Sequence, residues 1–126
     1  VLLVEPRRVA AVSAAARLAE LIGGSLGDEV GYRVRGDSRA GPSTLIEAVT
    51  GGVFLRMIQT DPSLAGVAAV IFDEFHERSL EADLGLALAL ETRSMRGSSP
   101  AERLALIAMS ATLDLDKLAR HLGSPS

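Results

Sequence analysis

Apolar residues recur along this chain in two spacings, short unbroken runs and helical stripes, and the two alternate. Val1-Leu2-Leu3-Val4 is a continuous apolar run, the pattern of a strand covered on both faces. Pro6 suits a first helical turn. From Val9 to Ile22 apolar residues fall at Val9, Val12, Ala16 and Ala19, with Leu18 and Leu21 on an adjacent stripe, which predicts a helix stopped by Gly23-Gly24. Glu29 to Arg35 alternates, with Val30, Tyr32 and Val34 on one face, and predicts a strand. Leu45 to Val49 predicts a second, after a polar turn region from Gly36 to Ser43.

Thr50-Gly51-Gly52 then reads as a strand-to-helix turn into Val53 to Ile58, closed by Asp61-Pro62. Val67 to Phe72 is another buried strand, running straight into Asp73-Glu74-Phe75-His76. Leu80 to Met95 predicts a long Ala/Leu helix, Gly97 to Pro100 a loop, Leu104 to Met109 a strand and Asp114 to Leu122 a short helix. Helices alternating with apolar strands predict an α/β domain whose mainly parallel sheet is flanked by helices. Because the chain opens in mid-fold, without an initiator Met, the expectation is of a piece cut from a longer protein.

Composition narrows the chemistry. A chain of 126 residues, 48% hydrophobic, is long enough to bury a core without a disulfide or structural metal. It has no cysteine, so thiolate zinc sites and cysteine nucleophiles are excluded, and cysteine usage is compatible with a cytoplasmic location. No apolar run approaches the length of a membrane span, and no signal peptide is expected. With aromatics at 3%, base stacking on an aromatic platform is disfavoured. The net charge of −3 conceals an uneven distribution: residues 1–60 carry +1 and residues 61–126 carry −4.

In open α/β sheets, ligands bind beyond the carboxyl ends of the strands. Four such ends carry unusual residues: Glu5-Pro6-Arg7-Arg8, Thr50-Gly51-Gly52, Asp73-Glu74-Phe75-His76 and Ser110-Ala111-Thr112. A hydrophobic strand delivering adjacent carboxylates is how nucleoside triphosphatases hold magnesium with an Asp while a neighbouring Glu orients and deprotonates the attacking water. Taken alone, Asp73 and Glu74 are equally a solvated strand end capping the next helix. Arg7 and Arg8 precede a helix whose first-turn amides are free to bind phosphate, or pair with Glu5 and surface acids. Thr50 with Gly51 and Gly52 offers a hydroxyl, amides and no side-chain bulk. Ser110 and Thr112 alone read as buried hydroxyls or a helix cap, Arg35 as a strand guide or a solvated turn residue, and His121 as a surface or helix-dipole partner.

The run Asp73 to Ser79, Asp-Glu-Phe-His-Glu-Arg-Ser, resembles motif II of the DEAH-box helicases, and its Phe75 is similar to the bacterial HrpB-type subgroup. Other pieces follow in the family's order. Glu5 to Ala11 resembles motif Ia, Val30 to Arg35 its following hairpin, Thr50-Gly51-Gly52 motif Ib, and Ser110 to Asp114 motif III. The sequence departs from the family at Gly51, where an acidic residue is usual.

The resemblance implies a RecA-like P-loop NTPase domain, incomplete at its N-terminus, with residues 1–126 forming part of the first RecA-like lobe from motif Ia through motif III. It implies that Asp73 holds Mg²⁺ through water and that Glu74 is the general base. His76 would link the nucleotide site to the hydroxyls of Ser110 and Thr112, while Arg7, Arg8, Thr50, Gly51, Gly52 and Arg35 face the nucleic-acid backbone. ATP is then the nucleotide, and the partners are single-stranded or duplex RNA or DNA and a second RecA-like domain of the same full-length chain. No G-x-x-x-x-G-K-[ST] occurs in the 126 residues, so the phosphate-cradling loop is expected upstream and the piece alone is expected to lack ATPase activity. Two rivals remain: a metal-dependent hydrolase using Asp73, Glu74, His76 and Glu77 as direct ligands, and a non-catalytic binding or scaffold domain of the same fold.

Overall fold

The computed structural model describes residues 1–75, 79–97, 99 and 102–109. The described chain runs β1 (Leu2–Glu5), α1 (Arg8–Leu21), β2 (Val30–Val34), β3 (Asp37–Arg39), β4 (Ile46–Thr50), α2 (Gly51–Thr60), β5 (Ala69–Phe72), α3 (Leu80–Met95) and β6 (Ala105–Ala108). The strands form one six-stranded sheet in the order β3-β2-β4-β1-β5-β6. Every neighbouring pair is parallel except the β2–β3 hairpin, so the expected mainly parallel α/β architecture is the one observed. The expected helix from Asp114 to Leu122, with His121, lies outside the described residues.

Strand alternation divides the core between the two faces of the sheet. Leu3, Val30, Tyr32, Val34 and Ala48 pack with α1 on one side. Leu2, Val4, Val49, Val70 and Phe72 pack with Phe54 and Ile58 of α2 and Leu86 and Ala89 of α3 on the other. All four residues of β1 are buried because helices cover it from both sides. Phe54 meets Phe72 edge to face, with ring centroids 5.6 Å apart.

The helical stripe of α1 differs from the expected one. The buried residues are Ala11, Ala15 and Ala19, whereas Val9 and Leu21 are 76% and 72% exposed. Small side chains at i, i+4 and i+8 form the contact face, and the bulkier residues that suggested a stripe flank it. The polar turn region expected from Gly36 to Ser43 contains the edge strand β3, all of whose residues are exposed. With both faces solvated, it carries no hydrophobic alternation to reveal it. Gly36, at φ +80°, makes the hairpin turn.

The start of β4 also shifts, leaving Leu45 outside the strand and 66% exposed. Helix α2 begins at Gly51, so the two glycines form its first turn rather than a separate loop. The end of the sheet opposite the strand carboxyl termini is tied by Arg96. Its Nε donates to the Glu102 carbonyl at 2.7 Å and its Nη1 to the Val67 carbonyl at 2.8 Å. Thr92, buried in α3, donates to the Pro62 carbonyl at 2.6 Å.

Candidate active site

Parallel strands bring their carboxyl ends to one edge, so the strand order dictates which of the unusual residues become neighbours. Reading across from β2, the edge presents Arg35, then Thr50 and Gly51 after β4, Glu5 to Arg8 after β1, and Asp73-Glu74 after β5. Glu5 and Thr50 are register partners in adjacent strands. The basic and hydroxyl-bearing candidates thus occupy one part of the edge and the acid pair the next.

The acid pair sits on a tightly specified turn. The Asp73 amide donates to the Val4 carbonyl at 2.9 Å, extending the β1–β5 ladder by one residue. Met109 donates to the Phe72 carbonyl at 2.8 Å, and Phe75 donates back to the Met109 carbonyl at 2.9 Å. Phe75 is buried and meets Phe72 edge to face at 6.3 Å. Two buried rings therefore bracket two half-buried carboxylates, and the Phe75 amide bond to the Met109 carbonyl turns the chain there. Glu74 takes φ +54°, a left-handed conformation unusual for a non-glycine residue. Its amide donates to Asp73 Oδ1 at 2.9 Å.

A narrow cleft, open to solvent, lies in front of this turn. Glu5, Gly51, Asp73, Glu74, Ser79 and Glu81 contribute to its walls. Ser79 caps α3, its hydroxyl accepting from the Ala82 amide at 2.9 Å, and Glu81 and Asp83 place negative charge in the first turn, where the helix dipole favours it.

Glu5 is a member of this site that the strand pattern alone does not distinguish from a solvated strand end. It is only 3% exposed. Burial pushes its carboxyl up to about 8, a hydrogen bond with Asp73 and the charges of Asp73 and Glu74 push in the same direction, and Arg7 opposes them. The legible signal was positional: β1 is central, so an acid at its end must lie beside whatever follows β5.

The phosphate candidates are less uniform than their sequence suggests. Arg7 is the N-cap position of α1 and Arg8 its first residue, both exposed. Thr50 is the half-buried N-cap of α2. Gly51 is buried beneath α3, where an added Cβ would stand 3.2 Å from the Glu81 Cβ. At Gly52 an added Cβ would stand 2.7 Å from Glu81 Oε2. These glycines admit the start of α3 against the start of α2. Arg35 is exposed at the tip of the β2–β3 hairpin. His76, Glu77, Ser110 and Thr112 lie outside the described residues.

Among the described residues no three metal-binding side chains are grouped to hold an ion on their own. Half-buried carboxylates beside an open cleft fit the way Mg²⁺ is held, through one or two carboxylates, waters and substrate phosphates rather than by an all-protein cage. No described helix is long and apolar enough to cross a membrane.

No family model matches the chain. Individual proteins do. The ATP-dependent RNA helicase HrpB of Escherichia coli (strain K12) is 53% identical over 122 residues, which is 97% of this chain and 15% of that protein. The human probable ATP-dependent RNA helicase DHX40 is 38% identical over 120 residues, 95% of this chain and 15% of that protein. The crystal structure of the E. coli DExH-box NTPase HrpB superposes with a TM-score of 0.82 at 54% identity, over 94% of this chain and 14% of that one. A second, described as the E. coli DEAH/RHA helicase HrpB, gives 0.81 at 54% identity, over 94% of this chain and 15% of that one. The chain thus spans about 15% of the length of the curated relatives it matches.

A parallel sheet with paired carboxylates at its carboxyl edge, joined to these likenesses, defines the class: the chain belongs to the DEAH-box helicase family. Within that family its likeness is to the HrpB type, in sequence and in fold alike.

Proposed function

We propose that the protein carrying this chain is an ATP-dependent helicase acting on RNA or DNA, and that residues 1–126 form part of its first RecA-like lobe, from motif Ia through motif III. The observation that carries this reading is the Asp73-Glu74 turn. Adjacent strand-end carboxylates, one accepting a hydrogen bond from the main chain and the other set in left-handed backbone, line one cleft.

In this reading Asp73 would hold Mg²⁺, which when bound would supply charge neutralisation for phosphoryl transfer. Glu74 accepts the proton of the water that attacks the terminal phosphate. His76 passes the state of the nucleotide site to Ser110 and Thr112. Arg7, Arg8, Thr50, Gly52 and Arg35 lie along the strand-gripping side, where backbone phosphates are sequence-independent targets that a translocating motor can hold and release. Gly51 contributes space for helix packing there rather than an exposed surface. Lacking G-x-x-x-x-G-K-[ST], the 126 residues alone are expected to show no turnover.

The test is Glu74→Gln in the full-length protein. Turnover is expected to fall roughly 10²–10⁴-fold, the range for losing a general base, with nucleotide binding retained. Undiminished turnover removes Glu74 from this role and with it the reading.

A further inference from the structure

The face of the sheet covered by α1 is lined by Leu3, Val30, Val34 and Ala48, and the one polar side-chain group in this cluster is the hydroxyl of Tyr32. Tyr32 is 5% exposed, and its hydroxyl donates to Asp37 Oδ2 at 2.8 Å. Asp37 opens β3 and is the register partner of Val34, so the bond runs diagonally over the β2–β3 hairpin, a reach that an aromatic side chain has. Arg35 and Gly36 are the two residues between the arms. Of these only Gly36 has positive φ. The primed turns that match strand twist need positive φ at the first loop residue, so this turn does not by itself hold the arms in line. β3 is an edge strand of three exposed residues, paired only with β2. Its far end lies against Gly31, where an added Cβ would overlap the Arg39 carbonyl. Its near end, beside the turn that carries Arg35, is fastened by Tyr32 in addition to the ladder.

We infer that Tyr32 is a positioning residue for nucleic-acid binding: its bond to Asp37 sets the hairpin turn that presents Arg35, and keeps the Asp37 carboxylate from pairing with Arg35 in place of a backbone phosphate. The inference rests on the reading of Arg35 proposed above. Arg35 is exposed, with an acid two residues further along the chain. The hydroxyl holds that acid on the face of the hairpin where Tyr32 lies. An arginine carried on a fixed turn gives up less conformational freedom when it meets a phosphate than one on a loose turn. The core needs only the ring of Tyr32, whose space phenylalanine would fill equally, so the hydroxyl can be removed without emptying the cluster.

The experiment uses the full-length protein and a fluorescent single-stranded RNA oligonucleotide, with anisotropy read at several salt concentrations and thermal midpoints measured alongside. Tyr32→Phe is expected to weaken binding about three- to tenfold, the net contribution of one hydrogen bond. Arg35→Ala is expected to weaken binding and to reduce the slope of log affinity against log salt by about 0.7. The double variant is expected to bind no more weakly than Arg35→Ala alone, because Tyr32 acts through Arg35. Asp37→Ala removes a negative charge, which by itself would tighten RNA binding, and is nevertheless expected to weaken it. Asp37→Asn keeps an acceptor for the hydroxyl and is expected to bind like the parent protein. Should Tyr32→Phe not fold, as judged by its thermal midpoint, the variants of the exposed Asp37 carry the test. Undiminished binding by Tyr32→Phe or Asp37→Ala, an Asn variant as impaired as the Ala variant, or losses that multiply in the double variant, overturn the inference. If Arg35→Ala itself binds like the parent, the place of Arg35 in the proposed function fails and the inference with it; if Arg35→Ala is weakened and the Tyr32 and Asp37 variants are not, the positioning role alone fails.

Discussion

Phe75 meets Phe72 edge to face across the two acidic residues between them, with ring centroids 6.3 Å apart. The aromatic pair makes the acid turn part of the core rather than a loop attached to it. Replacing Phe75 with Ala is expected to cost about 3–5 kcal/mol, the range for emptying a buried aromatic site. Urea unfolding of the full-length protein and of the variant measures the cost. The same variant is expected to lose turnover, because Asp73 and Glu74 no longer have a fixed turn beneath them.

Glu74 is a second point where the turn's shape and its chemistry meet. Its φ of +54° is disfavoured for a side chain with a Cβ by about 1–2 kcal/mol and free of that penalty for glycine. Glu74→Gly is therefore expected to melt no lower than the parent protein, and Glu74→Val to melt lower. Both remove the base and are expected to lack turnover. A calorimetric scan of the two variants checks the order, and a glycine variant that melts below the valine variant contradicts the backbone argument.

The elements that were legible in the sequence are those whose side chains alternate or recur against a core. β2 was readable from Val30, Tyr32 and Val34, all of which are buried, and α3 from its Ala/Leu repeat between Leu80 and Met95. β3 was not, because Asp37, Ser38 and Arg39 face solvent and only pairing with β2 makes them a strand. The face of α1 was misplaced because alanines, weak in any hydrophobic pattern, fit closest to the sheet. For the site, Asp73 and Glu74 stood out as charges ending an apolar run. Glu5 shared that property with many strand ends, and only the order β4-β1-β5 sets it beside them.

The raised Glu5 acid gives the folded state a defined response to pH. Unfolded, this carboxyl ionises near 4.5; folded, near 8. Between those values the native protein holds a proton that the unfolded chain has released. Glu5's contribution to stability is therefore complete below about 4.5, falls as the pH rises, and is lost once the pH passes about 8. With a chelator present, so that no divalent cation sits beside the pair, denaturant unfolding across pH 5–8 is expected to show this decline, amounting to a few kcal/mol. Glu5→Gln is expected to flatten it.

Arg96 tests whether stability and chemistry separate along the strands. Its guanidinium bonds to the Val67 and Glu102 carbonyls lie at the end of the sheet away from the acid turn. Hydrogen bonds to a charged group contribute about 1.5–3 kcal/mol, so Arg96→Ala is expected to lower stability by about 2 kcal/mol. Nucleotide affinity, measured at a temperature where the variant remains folded, is expected to stay unchanged.

Arg8 is the first residue of α1 and exposed, at the start of a helix whose amides face the strand-end edge. If it neutralises a backbone phosphate, its removal takes away one released counterion and no sequence information. Arg8→Ala is expected to weaken single-stranded RNA binding similarly for unrelated sequences, and to reduce the slope of log affinity against log salt by about 0.7. Fluorescence anisotropy at several salt concentrations measures both quantities. A loss confined to one sequence would place Arg8 at a base edge, and an unchanged slope would remove it from the phosphate path.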